Sequence, residues 1–182
     1  MENKFTINEQ AVSDLMFKYP SRTYSAREIA RITKLSHPTV LDALRKCNKL
    51  GIVKRELQKN QSGIGGNVLW KANVNGEKYL LFKKLTNLQS LYFSNLIEKI
   101  ASETSPNVIV LFGSYSRGED TEESDVDLFV QSKEKVLKLK NFEKKLGRKI
   151  NITFESDIHK MKKEFINNII NGIILYGYLE VL

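Results

Sequence analysis

The sequence predicts an α+β chain of two domains: a helical domain closed by a β-hairpin over residues 1–75, and a strand-and-helix domain over 76–182. Three observations carry that reading. Short amphipathic segments with helix-start signals follow one another as far as Leu50. Two strand-like runs flanking a glycine-rich stretch come next. Beyond the turn-like Asn73-Val74-Asn75-Gly76, the continuous apolar run Val108–Phe112 has the pattern of a strand buried on both faces.

Element by element, Asn8 to Tyr19 places Val12, Leu15 and Met16 on one helical face and stops at Tyr19-Pro20, because proline disfavours helix in the residue before it. Ser25 caps a second helix with Glu28 as its capping-box partner. Leu35-Ser36-His37-Pro38 is a tight turn in which Ser36 caps a third helix, Pro38 to Leu50. That helix buries Val40, Leu41, Leu44 and Cys47, shows Thr39, Asp42, Arg45, Lys46 and Lys49 to solvent, and ends at Gly51. Strands Ile52–Gln58 and Val68–Ala72 are joined by Asn60-Gln61-Ser62-Gly63-Ile64-Gly65-Gly66, a flexible hairpin tip with no helix opening after it to back a phosphate site.

After the break, residues 77–101 read as one long linking helix with Leu81, Leu85, Leu88, Tyr92 and Leu96 in a stripe that suits packing on the second domain or on a twin chain, so a homodimer is expected. The acidic run Glu119-Asp120-Thr121-Glu122-Glu123 reads as a solvated loop. Lys133–Lys145 reads as a helix with Val136, Leu139 and Phe142 inward, and Asp157–Asn171 as the last helix. Ile173–Leu182 reads as an edge strand or packed tail.

Composition narrows the classes. With 41% hydrophobic and 27% charged residues, only 3 Pro and 10 Gly, a packed protein is expected rather than a disordered chain. No apolar run approaches the roughly 20 residues that span a bilayer, and Met1–Phe5 lacks the apolar core of a signal peptide, so a cytoplasmic protein without membrane contact is expected. A single Cys47 excludes an intramolecular disulfide and a multi-cysteine zinc site. His37 and His159 are the only histidines, so metal chemistry must rest on carboxylates. Residues 1–84 hold 16 Lys/Arg against 7 Asp/Glu, and residues 85–182 hold 13 against 14. A basic N-terminal half suits a polyanionic partner, since phosphate neutralisation dominates non-specific nucleic-acid affinity, although a lysine-rich surface alone produces the same count.

Three helices and a basic hairpin over about residues 5–75 resemble a winged helix-turn-helix DNA-binding domain, on the run Ser25-Ala26-Arg27-Glu28-Ile29-Ala30, the Ser36–Leu44 helix, and Gly51-Ile52-Val53-Lys54-Arg55. The resemblance implies DNA as a partner, with Ser36, His37, Thr39, Arg45 and Lys46 on the helix that enters the major groove. It implies that Lys54, Arg55, Lys59 and Gln61 of the hairpin hold phosphates or probe the minor groove beside it. A three-helix unit used for protein interaction or dimerisation is the competing reading.

The chemistry concentrates in Gly113-Ser114-Tyr115-Ser116-Arg117-Gly118 and Ser124-Asp125-Val126-Asp127. Glycine after a buried strand lets backbone approach a phosphate, and Ser114 offers a hydroxyl at the N-terminus of a short helix. Asp125 and Asp127, two apart on a strand, point to one face and form a hard oxygen site suited to Mg²⁺. Arg117 is placed to neutralise phosphate charge. Asp-x-Asp alone is common on solvated strands; the conjunction with Gly-Ser at ten-residue spacing is rare.

Gly113, Ser114, Asp125 and Asp127 meet the Gly-Ser-x10-Asp-x-Asp signature, and over residues 85–182 the chain resembles the minimal nucleotidyltransferases of the DNA polymerase β superfamily. The resemblance implies a mixed sheet with flanking helices. It implies a nucleoside triphosphate, ATP first among them, bound with two Mg²⁺, and nucleotidyl transfer to a hydroxyl of a protein or nucleic acid. Asp125 and Asp127 would be catalytic and metal-binding, with Gly113, Ser114, Arg117 and Ser124 holding the nucleotide. Members usually carry a third carboxylate on the next strand, where this chain has Asn151; an amide cannot take a proton. Glu155, on the same face, lies about 13 Å further along. Two function classes therefore stand beside each other: a nucleotidyltransferase carried by a DNA-binding module, and a DNA-binding regulator whose transferase domain is degenerate and binds nucleotide only. A scaffold with neither activity is the third.

Overall fold

The computed structural model describes residues 5–59 and 66–180 and divides into two compact units, Met1–Lys83 and Lys84–Leu182.

In the first unit, Thr6 and Glu9 close a capping box on α1 (Ile7–Lys18). A short strand, β1 (Thr23–Ser25), precedes α2 (Ala26–Thr33), whose Ser25–Glu28 capping box is the expected one. The α3 helix (His37–Lys49) starts on Ser36, whose hydroxyl accepts from the Thr39 amide, with Pro38 in its first turn. Strands β2 (Val53–Lys59) and β3 (Gly66–Ala72) pair antiparallel, and β1 adds to the far side of β3, giving the order β1-β3-β2. The sequence reading had not included β1: three residues carry no period, and Tyr24 is drawn into pairing opposite Trp70. Val12, Met16, Ile29, Val40, Leu44, Cys47 and Ile52 are fully enclosed and bind the three helices to the sheet. The tip between β2 and β3 (60–65, with Gln61) lies outside the described residues.

The long helix expected over 77–101 is two helices, α4 (Glu77–Ser94) and α5 (Leu96–Thr104). Asn95 stands between them in the left-handed region (φ 63), which asparagine tolerates better than most residues. Ser94 stabilises the break, its hydroxyl donating to the Leu91 carbonyl and accepting from the Leu96 amide. The unit division falls inside α4 rather than at residue 75, because Tyr79 and Phe82 pack with the first core: Tyr79 meets the Phe17 ring and Phe82 the Phe5 ring. Of the predicted stripe, Leu81, Leu85 and Tyr92 remain exposed, Leu88 is partly buried and Leu96 turns inward; Leu91, outside that stripe, is enclosed.

The second unit is a four-stranded sheet in the order β6-β5-β4-β7. Its strands are β4 (Val108–Phe112), β5 (Val126–Val130), β6 (Ile150–Phe154) and β7 (Ile173–Gly177). The β4 strand pairs antiparallel with β5 and β7, while β5 and β6 are parallel, so the sheet is mixed. One face (Ile109, Leu111, Val126, Leu128, Ile150) packs with Leu91, Leu96 and Ile100; the other (Val108, Val110, Phe129) packs with Ile158 and Ile169. A five-residue helix, α6 (Gly113–Arg117), follows β4 directly. Between β5 and β6 the helix is shorter than the lysine periodicity suggests: α7 is Lys140–Leu146, and Val136 stands almost wholly in solvent. The last helix also contracts, to a 3₁₀ turn at Ile158–Lys160 and α8 (Lys163–Ile170). Asp157 caps the turn by accepting from the His159 amide. Both stretches still contribute apolar side chains to the core, Leu137 and Leu139 in the first and Ile158 and Met161 in the second.

Candidate nucleotide and metal site

Strand register brings the signature together. Phe112 is paired with Asp127 across β4–β5, and Asp127 with Asn151 across β5–β6, so the three stand in one row on the sheet face that also carries Val110 and Phe129. Asp125 lies one residue before β5 and shares that face. The turn from β4 into α6 closes on this row. Gly113 has φ +76, and a Cβ built on it would lie 2.6 Å from Asp127 Oδ2. Both facts demand glycine: an L-residue is strained at that φ, and a methyl group has no room against the carboxylate. Ser114 therefore follows directly on the residue that touches Asp127. Its carbonyl accepts from the Glu119 amide, and Ser116 Oγ donates to the Gly113 carbonyl at 2.7 Å, which holds the turn in shape.

Asn151 completes the row. Its Nδ2 donates to Asp125 Oδ2 at 3.0 Å and to Asp127 Oδ1 at 3.2 Å. The two carboxylates are thus bridged by one amide, and the two oxygens of Asp127 are divided between Asn151 on one side and Gly113 on the other. Glu155 does not reach this row: its Oε1 accepts from the Asp157 amide and the Ser156 hydroxyl. Among the described residues there is no group of three or more His, Cys, Asp or Glu side chains placed to hold a metal. Two carboxylates on one face nevertheless fit a hard divalent cation whose remaining positions go to water and phosphate oxygens.

The other predicted nucleotide residues stand at the edge of this arrangement. Arg117 Nε donates to Glu119 Oε2 at 2.6 Å in an exposed pair. Ser124 Oγ accepts from the Thr121 amide at 2.9 Å and so shapes the loop that delivers Asp125.

That loop is not solvated throughout, contrary to the sequence reading. Asp120 is buried, accepting from Asn87 Nδ2 at 2.8 Å and from Arg148 Nη2 at 3.3 Å. Arg148 also donates through Nη1 to the Glu122 carbonyl at 2.8 Å, and Asn87 to the Tyr115 carbonyl at 2.9 Å. One buried network therefore ties α4, α6, the acidic loop and the turn before β6 together beneath the site. Burial, reinforced by the nearby Asp120 charge, pushes the Tyr115 phenol far above its ordinary value. No local signal marks these residues, since Asn87 and Arg148 look like surface positions until the chain is folded.

In the first unit, the residues expected at DNA divide. His37 lies at the exposed start of α3, while Ser36 and Thr39 are engaged with each other in the cap. Arg45 pairs with Asp42 at 2.7 Å. Lys46 is held by Glu9 at 2.8 Å, and this charge-assisted bond keeps the Glu9 carboxyl below the ordinary carboxylate range although the group is buried. Lys54 and Arg55 are exposed on β2, and Lys59 ends that strand. A cleft of about 840 Å³ is lined by Arg27, His37, Leu41, Arg45, Arg55 and Trp70, and Arg27 is a basic residue the sequence reading had not singled out.

With the geometry in view, comparison with known proteins bears on the second unit. Residues 94–180 match the family model described as "Polymerase beta, Nucleotidyltransferase". Over this segment the chain is similar to polymerase-β-type nucleotidyltransferases. A curated relative from Methanocaldococcus jannaschii, "Putative protein adenylyltransferase MJ1379", is 44% identical over 59 residues, which is 28% of this chain and 59% of that protein. The chain thus spans well under two thirds of that relative. Among solved structures, a "Possible transcriptional regulator from Methanosarcina mazei Go1" has a TM-score of 0.38 at 18% identity, covering 54% of this chain and 78% of its own. A point mutant of Lactococcus lactis ZitR has a TM-score of 0.38 at 16% identity, covering 57% of this chain and 64% of its own. Both scores are too low to assign a fold to the first unit. No helix among the described residues is long and apolar enough to cross a membrane.

Proposed function

We propose that the nucleotidyltransferase domain binds a nucleoside triphosphate with Mg²⁺, ATP being the first to test, and transfers its nucleotidyl group to a hydroxyl of a protein or nucleic acid. The observation that carries this is the closure of the Gly113–Ser114 turn on the Asp127 carboxylate. It brings the backbone of the turn, followed directly by Ser114, against one of a pair of hard oxygen ligands. Asp125 and Asp127 would hold the cation, which supplies charge neutralisation to the triphosphate when bound. Gly113 and Ser114 orient the phosphates. Arg117 is free to leave its exposed partner Glu119 for a phosphate, since surface pairs of this kind hold by at most about 1 kcal/mol.

A second reading is favoured by Asn151. No carboxylate stands where a proton acceptor for the incoming hydroxyl would be expected, and an amide cannot serve. In this reading the domain binds nucleotide without turnover, and the first unit, a winged helix-turn-helix, presents His37, Arg45, Arg55 and Arg27 to DNA. The cleft between α3, the start of α2 and the hairpin supports that use.

Labelled ATP, GTP, CTP and UTP with Mg²⁺ and cell extract separate the two. Label appearing on a macromolecule, and vanishing in Asp127→Asn, establishes transfer. Nucleotide binding by calorimetry without label transfer selects the second reading; absence of both rejects each. For the first unit, retention of random duplex DNA should fall steeply with salt and weaken in Arg55→Ala. DNA retention that is absent or insensitive to salt rejects the DNA assignment.

A further inference from the structure

Resting on that nucleotide-binding reading, the geometry points to a site for one divalent cation per bound nucleotide, with Asn151 as the residue that fixes the number. Asp127 Oδ2 faces Gly113 and the turn into α6, while Asp127 Oδ1 and Asp125 Oδ2 are both taken by the Asn151 amide. Asp127 Oδ2 takes no hydrogen bond from Asn151, so it is the oxygen through which a cation would share its shell with phosphate oxygens. The Asn151 side presents N–H groups to the same two carboxylates. A cation there would meet the positive end of the amide dipole, and it would have to displace two hydrogen bonds to gain a neutral ligand at best.

Ligand count leads to the same place: Asp125 and Asp127 are two carboxylates, and among the described residues no third His, Cys, Asp or Glu joins them to make the protein share of a second cation's shell. The next carboxylate along β6, Glu155, is turned away onto the Asp157 amide and the Ser156 hydroxyl. Glu119 is paired with Arg117 at 2.6 Å. Substituting Asn151 by aspartate would replace the bridging donor with an acceptor in register with Asp127, creating a three-carboxylate cluster without altering side-chain size.

The test counts ions rather than turnover. The full chain is equilibrated by dialysis with Mn²⁺ and a non-hydrolysable ATP analogue, and both are quantified in the protein compartment, with electron paramagnetic resonance reading Mn²⁺–Mn²⁺ coupling. The native chain should retain one Mn²⁺ per nucleotide and show an uncoupled spectrum. Asn151→Asp should retain two and show exchange coupling; Asn151→Ala, which removes the donor without adding charge, should stay at one. Because Asn151 is exposed, all three should give the same circular dichroism. Two ions per nucleotide in the native chain, or one in Asn151→Asp, overturns the inference while leaving nucleotide binding intact. If no nucleotide is retained by any of the three, the underlying nucleotide-binding reading fails instead.

Discussion

Replacing Arg148 by alanine should unfold the second unit well before that of the wild type. The Arg148–Asp120 pair is almost wholly buried, with side-chain exposures of 9% and 1%. Removing one partner of such a pair costs about 3–5 kcal/mol, because an uncompensated charge is left behind. The lower end applies here: the Nη2–Oδ2 distance of 3.3 Å is long, and Asp120 keeps its bond from Asn87 at 2.8 Å. A loss of about 3 kcal/mol is a large fraction of the roughly 5–15 kcal/mol that holds a domain folded. At about 4–8 °C per kcal/mol for a domain of this size, the melting transition of residues 84–182 should fall by roughly 12–24 °C. Far-UV circular dichroism follows it, with Trp70, the one tryptophan of the chain, reporting the first unit separately by fluorescence. The double variant Asp120→Asn/Arg148→Met, which leaves no orphan charge, should recover most of the loss. A drop of only a few degrees in Arg148→Ala, or a double variant as damaged as the single, would refute the claim that this pair anchors the loop beneath the site.

Gly113→Ala places a methyl group 2.6 Å from Asp127 Oδ2 at φ +76, so about 1–2 kcal/mol of backbone strain is joined by displacement of a carboxylate; calorimetry should show nucleotide–Mn²⁺ binding lost while the fold persists by circular dichroism. The Glu9 carboxyl is held below its ordinary value chiefly by the Lys46 hydrogen bond. Its contribution is complete above the unfolded-state value and disappears as pH falls through the folded one. Urea midpoints taken down through the carboxylate range should therefore drop more steeply in the native chain than in Lys46→Met. Burial raises the Cys47 thiol above its ordinary value and encloses it completely, so disulfide reagents should modify it only after the first unit is unfolded. Rapid labelling of the native chain would contradict the packing of α1 against α3.

Local chemistry was sufficient where an element announces itself within a few residues. Ser25 with Glu28 and Ser36 before Pro38 each start a helix in the place expected, because a cap is satisfied by atoms of its own turn. The run Val108–Phe112 is a buried strand, and the Gly-Ser-x10-Asp-x-Asp spacing does lead to one row of side chains, because strand alternation and register are short-range consequences of an apolar core. The substitution at Asn151 was equally legible, but not what it does: that its amide bridges both aspartates follows from the parallel pairing of β5 with β6, two strands separated by a long connection.

What folding alone decided is which polar groups are withdrawn from water. Asp120 belongs to a run of acids that looks solvated, yet it is buried because Asn87 and Arg148, distant in sequence, converge to satisfy it. Glu9 is likewise buried, and Lys46, on the face expected to meet DNA, reaches it while remaining exposed itself. The helix expected at 77–101 is divided at the left-handed Asn95, and the one expected at 133–145 is shortened to α7 while Leu137 and Leu139 still pack on the core, so tertiary structure overrides a helical period in both places. Periodicity and spacing are properties of neighbouring residues and can be read from the chain; the partner of a buried charge is chosen only when remote segments meet, and that choice decides which side chains remain available to a ligand.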